Sequence, residues 1–273
     1  VPQLPFDPVR RRLVAGAALW GCLPRNAGAA TPALPLRLAS SESGDTLQGA
    51  VQAVVPFAYG PAAEALAAPG VWCEILMLHL NNKACRLQQG PDGPALALAI
   101  ARKHDQPADQ AHALVLQWQQ QERSDQRLGV RLHAAQGPFG TTDYAVLLQL
   151  EPAPGGGCVL GLQYGCRFSP SARLLLRTYL ATLGRDKVGF SARPGGGPQE
   201  LVGGLRGVVE RTVVRYHLAV EAWLQAAALP PAGRALARLE HWFDATERYP
   251  RQLRELDKAS YLANKRRELG LGP

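Results

Sequence analysis

The sequence predicts an α+β fold: a curved antiparallel sheet of about six or seven strands packed against a long helix near the C-terminus, with a helical extension beyond it. Three observations carry this. From Asn82 to Phe168 the chain is a succession of apolar runs of strand length, separated by Gly, Pro and Asp turn signals. Within those runs apolar residues alternate, most clearly at Leu96, Leu98, Ile100 and at Leu128, Val130, Leu132, the period of a sheet with one buried face. From about Leu205 to Ala228 the period becomes helical, with Leu205, Val208, Val209, Thr212, Tyr216, Ala219, Val220 and Trp223 on one stripe.

The elements follow in order. Residues 1–29 have the layout of a secretory signal peptide: basic Arg10 to Arg12, an apolar run from Leu13 to Leu23, Pro24, then small residues in which Ala27 and Ala29 precede a cleavage point before Ala30. The run is shorter than the ~20 residues that span a bilayer, so no transmembrane segment is expected in the mature chain. Export to the periplasm or beyond follows as the expectation. Two variants stay open: a twin-arginine leader at Arg10-Arg11-Arg12-Leu13-Val14, and lipoprotein anchoring at Cys22. Residues 30–45, ending in "ASSESGD", read as a linker. "TLQGAVQAVVPFAYG" is a strand with a Pro-Phe turn, and "PAAEALAAPG" and "VWCEILMLHL" are two short helices. The six runs that follow are "NKACRLQ", "PALALAIARK", "HALVLQWQQQE", "QRLGVRLHAAQ", "TTDYAVLLQLEP" and "CVLGLQYGCRF". "SPSARLLLRTYLATLG" is a Ser-capped helix that stops at Gly184, and "KVGFSAR" reads as a last strand. Pro230 and Pro231 end the long helix. Residues 229–273 then form a helical extension, its two helices joined at Pro250, beyond a domain spanning 46–228.

Composition narrows the partners. The 273 residues are 47% hydrophobic, enough for a sizeable core. The formal charge of +8 rests mainly on arginine, and removal of residues 1–29 leaves +5. No basic run with interleaved aromatics is present, so nucleic acid is not an expected partner.

Four cysteines remain in the mature chain: Cys73, Cys85, Cys158 and Cys166. In an oxidising compartment three pairings are open. Cys158 and Cys166 lie at the two ends of one strand, about 26 Å apart at ~3.3 Å per residue. That exceeds the ~7 Å reach of a disulfide. A Cys73–Cys85 bridge from the second short helix to the next strand is the expectation, with Cys158 and Cys166 as small buried apolar residues.

Motifs of the common chemistries are absent: no G-x-S-x-G, no H-E-x-x-H, no C-x-x-C, no phosphate loop and no dinucleotide fingerprint. "GPFGTTDY" lacks the lysine of a phosphate loop and reads as a turn with glycines at positive φ. The six histidines, at 79, 104, 112, 133, 217 and 241, show no metal-ligand spacing. Asp143 and Tyr144 could form an acid/base pair, but neighbours on a strand point to opposite faces. No catalytic residue, metal or cofactor is therefore expected.

The segments "VVPFAYGPAAEALAAPGVWCEIL" and "LHAAQGPFGTTDYAVLLQLEP" resemble the START-like, helix-grip (SRPBCC-type) superfamily over Thr46 to Ala228. "YLATLGRDKVGF" and "YPRQLRELDKASYLANKRRE" are similar to uncharacterised exported proteobacterial proteins. The superfamily resemblance implies an apolar cavity between sheet and long helix, opening between the Trp72 helix and the loop Gly137 to Gly140, that takes a lipid or other hydrophobic molecule. On this reading the wall includes Trp72, Ile100, Arg102, Leu132, Tyr144, Val146, Leu148, Leu162, Tyr164 and Tyr216. Arg102, Tyr144 and Tyr164 are its polar groups, and the small residues Ala134 and Gly161 leave volume. Two alternatives remain. One is an interaction module of the cell envelope docking a protein partner through Trp242, Phe243 and Tyr249; the other is a cyclase- or hydrolase-type enzyme in the same cavity.

Overall fold

A computed structural model describes residues 36–272 except 183, 194, 198 and 199, and leaves the side chains of 175 and 179 undescribed. The leader, its twin-arginine variant and Cys22 lie outside the described residues. Eight strands are present: β1 (Arg37–Ser43), β2 (Thr46–Val55), β3 (Asn82–Gly90), β4 (Gly93–Ile100), β5 (His112–Arg123), β6 (Leu128–Gln136), β7 (Thr141–Pro152) and β8 (Cys158–Phe168). They make one antiparallel sheet in the order β1-β2-β8-β7-β6-β5-β4-β3. The helices are α1 (Tyr59–Leu66), α2 (Val71–Leu76), α3 (Pro170–Ala181), α4 (Gly204–Ala226), α5 (Pro231–Glu247), α6 (Pro250–Leu253) and α7 (Lys258–Leu269). The sheet curves around α4, which makes the architecture a helix grip.

Two strand expectations change. Part of the expected linker is β1, which pairs with β2 through a tight turn at Gly44 (φ 58°) and raises the strand count to eight. As an edge strand it buries little, so its Ser- and Glu-rich sequence carries no strong apolar alternation. "KVGFSAR" is not a strand; it forms only an isolated bridge, Ala192 to Leu201. Its backbone bonds to residues 200–202, as in Gly189 N to Val202 O (2.7 Å), and a side chain adds to this: the buried Glu210 carboxylate accepts the amides of Phe190 (2.7 Å) and Ser191 (2.9 Å). The β6–β7 turn departs in detail. Gly140 has φ 79° as expected, but the second left-handed position is Phe139 (φ 59°) rather than Gly137. Gly137 is needed for space: a Cβ there would lie 2.3 Å from Thr141 Oγ1.

Helix α4 is covered on both sides. Val209, Val213 and Val220 are among its fully buried residues, and a Cβ on Gly49 of β2 would meet Val209 at 2.9 Å, so sheet and helix touch closely there. On the other side α5 to α7 bury Leu239, Trp242, Phe243, Leu253 and Tyr261. Trp242 donates its indole N–H to Arg215 O (3.0 Å) and stacks on Tyr261 at 5.1 Å. The described residues form one compact unit, so the extension is packed into the same body as the sheet. Among the described residues no helix is long and apolar enough to cross a membrane.

The Cys73–Cys85 bridge is present, with Cα atoms 5.3 Å apart. The register explains it. Cys85 opposes Leu98, an inward position, so its sulfur faces α2. Replacing both cysteines with serine is expected to cost about 3 kcal/mol in urea unfolding, the chain-entropy value for a loop of this size. An unchanged midpoint, or free thiols in unreduced peptide maps, would count against the bridge. Cys158 and Cys166 are free and buried. Burial pushes their thiols up to about 11 and about 12, so they remain protonated and inert.

Candidate functional site

The inner wall is apolar, as the alternation requires, but its middle is filled. Leu132 and Leu148 are 0% exposed, Leu162 1% and Val146 2%. Side chains with almost no surface within reach of water cannot line an open cavity there. Trp72 is also core, donating its indole N–H to Leu66 O at 3.0 Å and so tying α2 to α1. Ile100 is buried at the end of β4.

Two expected wall positions lie elsewhere. Gly161 opposes Gln52 and Gln149 on the outer face, so it leaves no room inside. Arg102 is exposed, its guanidinium 5.1 Å from the ring of Phe139. Strand β4 ends at Ile100, and strand alternation ceases to orient residues beyond it.

The other polar candidates converge at one end of the interior. Tyr144 on β7 and Tyr164 on β8 meet edge to face at 5.1 Å. Tyr216 of α4 joins them, beside Tyr144 and Asn82, whose side-chain amide donates to Leu76 O at 2.7 Å. His79 stacks on Tyr216 at 5.1 Å, and its Nδ1 accepts the Asn81 amide at 3.2 Å. The β7 bulge between Thr142 and Ala145, with Asp143 at φ 49°, accompanies the inward placement of Tyr144 opposite Ala134. Asp143 faces outward toward Arg167 (3.7 Å), so it does not share a pocket with Tyr144.

Tyr164 breaks the packing pattern. Its inward neighbours on β8, Leu160, Leu162 and Cys166, are buried. Tyr164 is only partly buried, so part of it stays within reach of water. The register places Gly49 on one side of it, and on the other a row of Val146, Leu132 and Trp118. Trp118 is likewise only partly buried, and its indole N–H has no hydrogen-bond partner among the described residues.

Burial, and the electron-rich hydroxyls beside them, hold Tyr144 and Tyr164 well above the ordinary phenol range; burial also raises Tyr216. His79 is pushed well below its ordinary value by burial and by the charges of Arg215, Lys265 and Arg211. These groups are therefore neutral near pH 7. They offer uncharged hydrogen-bond donors and acceptors on an apolar wall, an arrangement suited to holding a polar atom of an otherwise apolar molecule.

Behind the cluster lie two buried ion groups. Glu268 is shared by Lys83 (2.7 Å) and Lys265 (2.8 Å), and Lys265 also donates to Asn82 O (2.7 Å). Burial lowers Lys265 to about 8. Glu255 is shared by Lys187 (2.8 Å) and Arg215 (3.0 Å), with Arg211 at 3.8 Å. Sequence reasoning did not single out His79, Asn82 or Trp118. Trp118 was legible, since it continues the alternation of Leu114 and Leu116, whereas "HLNNK" carries no signal that marks His79 or Asn82.

No protein-family model and no curated protein matches the sequence. Solved structures do match. Norcoclaurine synthase of Thalictrum flavum, a point mutant in complex with a transition-state analogue, is 15% identical, with a TM-score of 0.38, over 53% of this chain and 89% of its own. Ara h 8.0201 is 9% identical, with a TM-score of 0.38, over 66% of this chain and 99% of its own. A START superfamily protein from Mycobacterium smegmatis is 15% identical, with a TM-score of 0.32, over 52% of this chain and 93% of its own. At these scores the likenesses assign neither ligand nor activity.

Proposed function

We propose that the protein binds a lipid or other small hydrophobic molecule at the tyrosine end of the grip, outside the cytoplasm, after removal of residues 1–29. The observation that carries the reading is Tyr164, partly exposed among buried inward neighbours on β8 and beside two further tyrosines on an apolar wall. The Cys73–Cys85 disulfide supports the compartment, because such bridges persist where conditions are oxidising. The interaction-module alternative loses the aromatics it relied on: Trp242 and Phe243 are buried, and Tyr249 packs on Phe190 at 5.3 Å.

Native mass spectrometry of protein taken from its own cell envelope tests both parts. The expected polypeptide begins at or near Ala30 and carries a co-purifying hydrophobic molecule. Stripped protein should then bind a fluorescent fatty acid or sterol probe, and Tyr164→Trp, which puts more bulk at the site, should reduce that binding at least tenfold. Val146→Trp or Leu162→Trp would instead overpack a filled region and cost about 1–3 kcal/mol of stability. A stripped wild type that binds no probe, or one that co-purifies with a polypeptide and nothing else, would reject the reading.

A further inference from the structure

We infer that the site prefers a ligand whose polar end is an anion, with a surplus of buried cations behind the tyrosines as the source of that preference. This rests on the reading that a hydrophobic molecule binds at the tyrosine end. Among the described residues four cations, Lys187, Arg215, Lys83 and Lys265, lie within 3.0 Å of two carboxylates, Glu255 and Glu268, and Arg211 lies 3.8 Å from Glu255. Three of the four are nearly or fully buried, with side-chain exposures of 6% for Arg215, 3% for Lys83 and 1% for Lys265.

The surplus acts on the site across α4: beyond the effect of burial, Arg215, held on the outer face by Leu253 O and Glu255, and Lys265 both depress His79, which stacks on Tyr216. Lys265 of α7 donates to the backbone of Asn82, a residue beside Tyr216. His79, stacked on the same tyrosine, stays neutral in this field and adds no compensating charge.

Charges taken out of water are costly unless matched, and a surplus of one sign stays unmatched until an anion arrives. Tyrosine hydroxyls can donate to such an anion, and hydrogen bonds to an ionised acceptor are the strong ones. An alcohol head would gain the hydrogen bonds without the charge, and an ammonium would be repelled. Because the cations are buried, salt should screen the effect little.

The test displaces an uncharged fluorescent sterol probe with a twelve-carbon carboxylate, alcohol and amine at pH 7, each below its micellar range. The carboxylate is expected to bind at least tenfold more tightly than the alcohol, with the amine weakest, and the order should hold at raised salt. Equal affinities, or a preference for the amine, overturn the inference and leave hydrophobic binding intact. If the sterol probe and a neutral fatty-ester probe both fail to bind, the proposed function fails and the inference falls with it. Lys265→Met should narrow the carboxylate-to-alcohol ratio to about threefold while leaving alcohol affinity unchanged. Lys187→Gln, at a half-exposed position, should narrow it less but in the same direction and serves if Lys265→Met does not fold. An undiminished ratio in a folded variant places the preference elsewhere and overturns the assignment.

Discussion

A chain ending at Ala228 is expected not to fold. The residues it lacks are not an appendage to the grip but one half of the packing around α4. Leu239, Trp242, Phe243, Leu253 and Tyr261 are each at least nine-tenths buried. Full burial of a large apolar side chain contributes about 1.5–3 kcal/mol. Five such side chains together match the whole net stability of an ordinary domain, about 5–15 kcal/mol. Polar ties go with them: the Trp242 indole on Arg215 O, the Tyr261 hydroxyl on Leu78 O at 2.8 Å, and Glu255 on Arg215. Glu74 would lose Arg238 (2.8 Å), which also lies over the Trp223 ring, so α2 would lose its link to α5. Urea unfolding and near-ultraviolet circular dichroism of the shortened chain read the outcome. Trp242→Ala in the full chain is the graded version, with about 3–5 kcal/mol expected. A shortened chain with a cooperative transition within about 2 kcal/mol of the full-length protein would show the extension to be dispensable.

The same packing explains which parts of the structure were legible in the sequence. Leu128, Val130 and Leu132 could be placed on the inner face at sight because a sheet buried on one side imposes period two on its own residues. Tyr144 and Tyr164 were placed inward by the same rule, and the inward stripe of α4 by the helical one. The bridge was legible because helix and strand lie close in the chain. The outer face of α4 was not. Arg211 and Arg215 carry no local signal of burial, because what covers them includes Glu255, forty residues beyond Arg215. Strand β1 was hidden because an edge strand needs little apolar sequence, and Arg102 was misplaced because its strand stops two residues earlier. Where the grip is filled and where a side chain stays within reach of water depends on how side chains from β2, β5, β7, β8 and α4 fit together. No local pattern records that.

Acid should weaken the fold through His217. This residue lies fully buried in α4 with neither ring nitrogen hydrogen-bonded among the described residues, and burial lowers it to about 4 from an ordinary 6.5. The sign follows from proton uptake. Between pH 6.5 and about 4 the unfolded chain binds a proton at this position that the folded chain does not, so the unfolded state gains. The contribution is complete above pH 6.5, declines by up to about 1.4 kcal/mol per pH unit below it, and levels off below pH 4. From pH 7 to pH 5 the loss from His217 alone is about 2 kcal/mol. His79, also depressed by burial and by neighbouring cations, adds to it in the same direction. Glu255 and Glu42, held below the ordinary carboxylate value, contribute only at lower pH, as protonation breaks their pairs with arginine and lysine. His217→Gln keeps a polar side chain of similar reach but has no proton to gain. Its unfolding free energy in urea should therefore fall about 2 kcal/mol less than that of the wild type between pH 7 and pH 5. Equal losses in the two proteins would mean that His217 already carries its proton in the folded state, contrary to its burial.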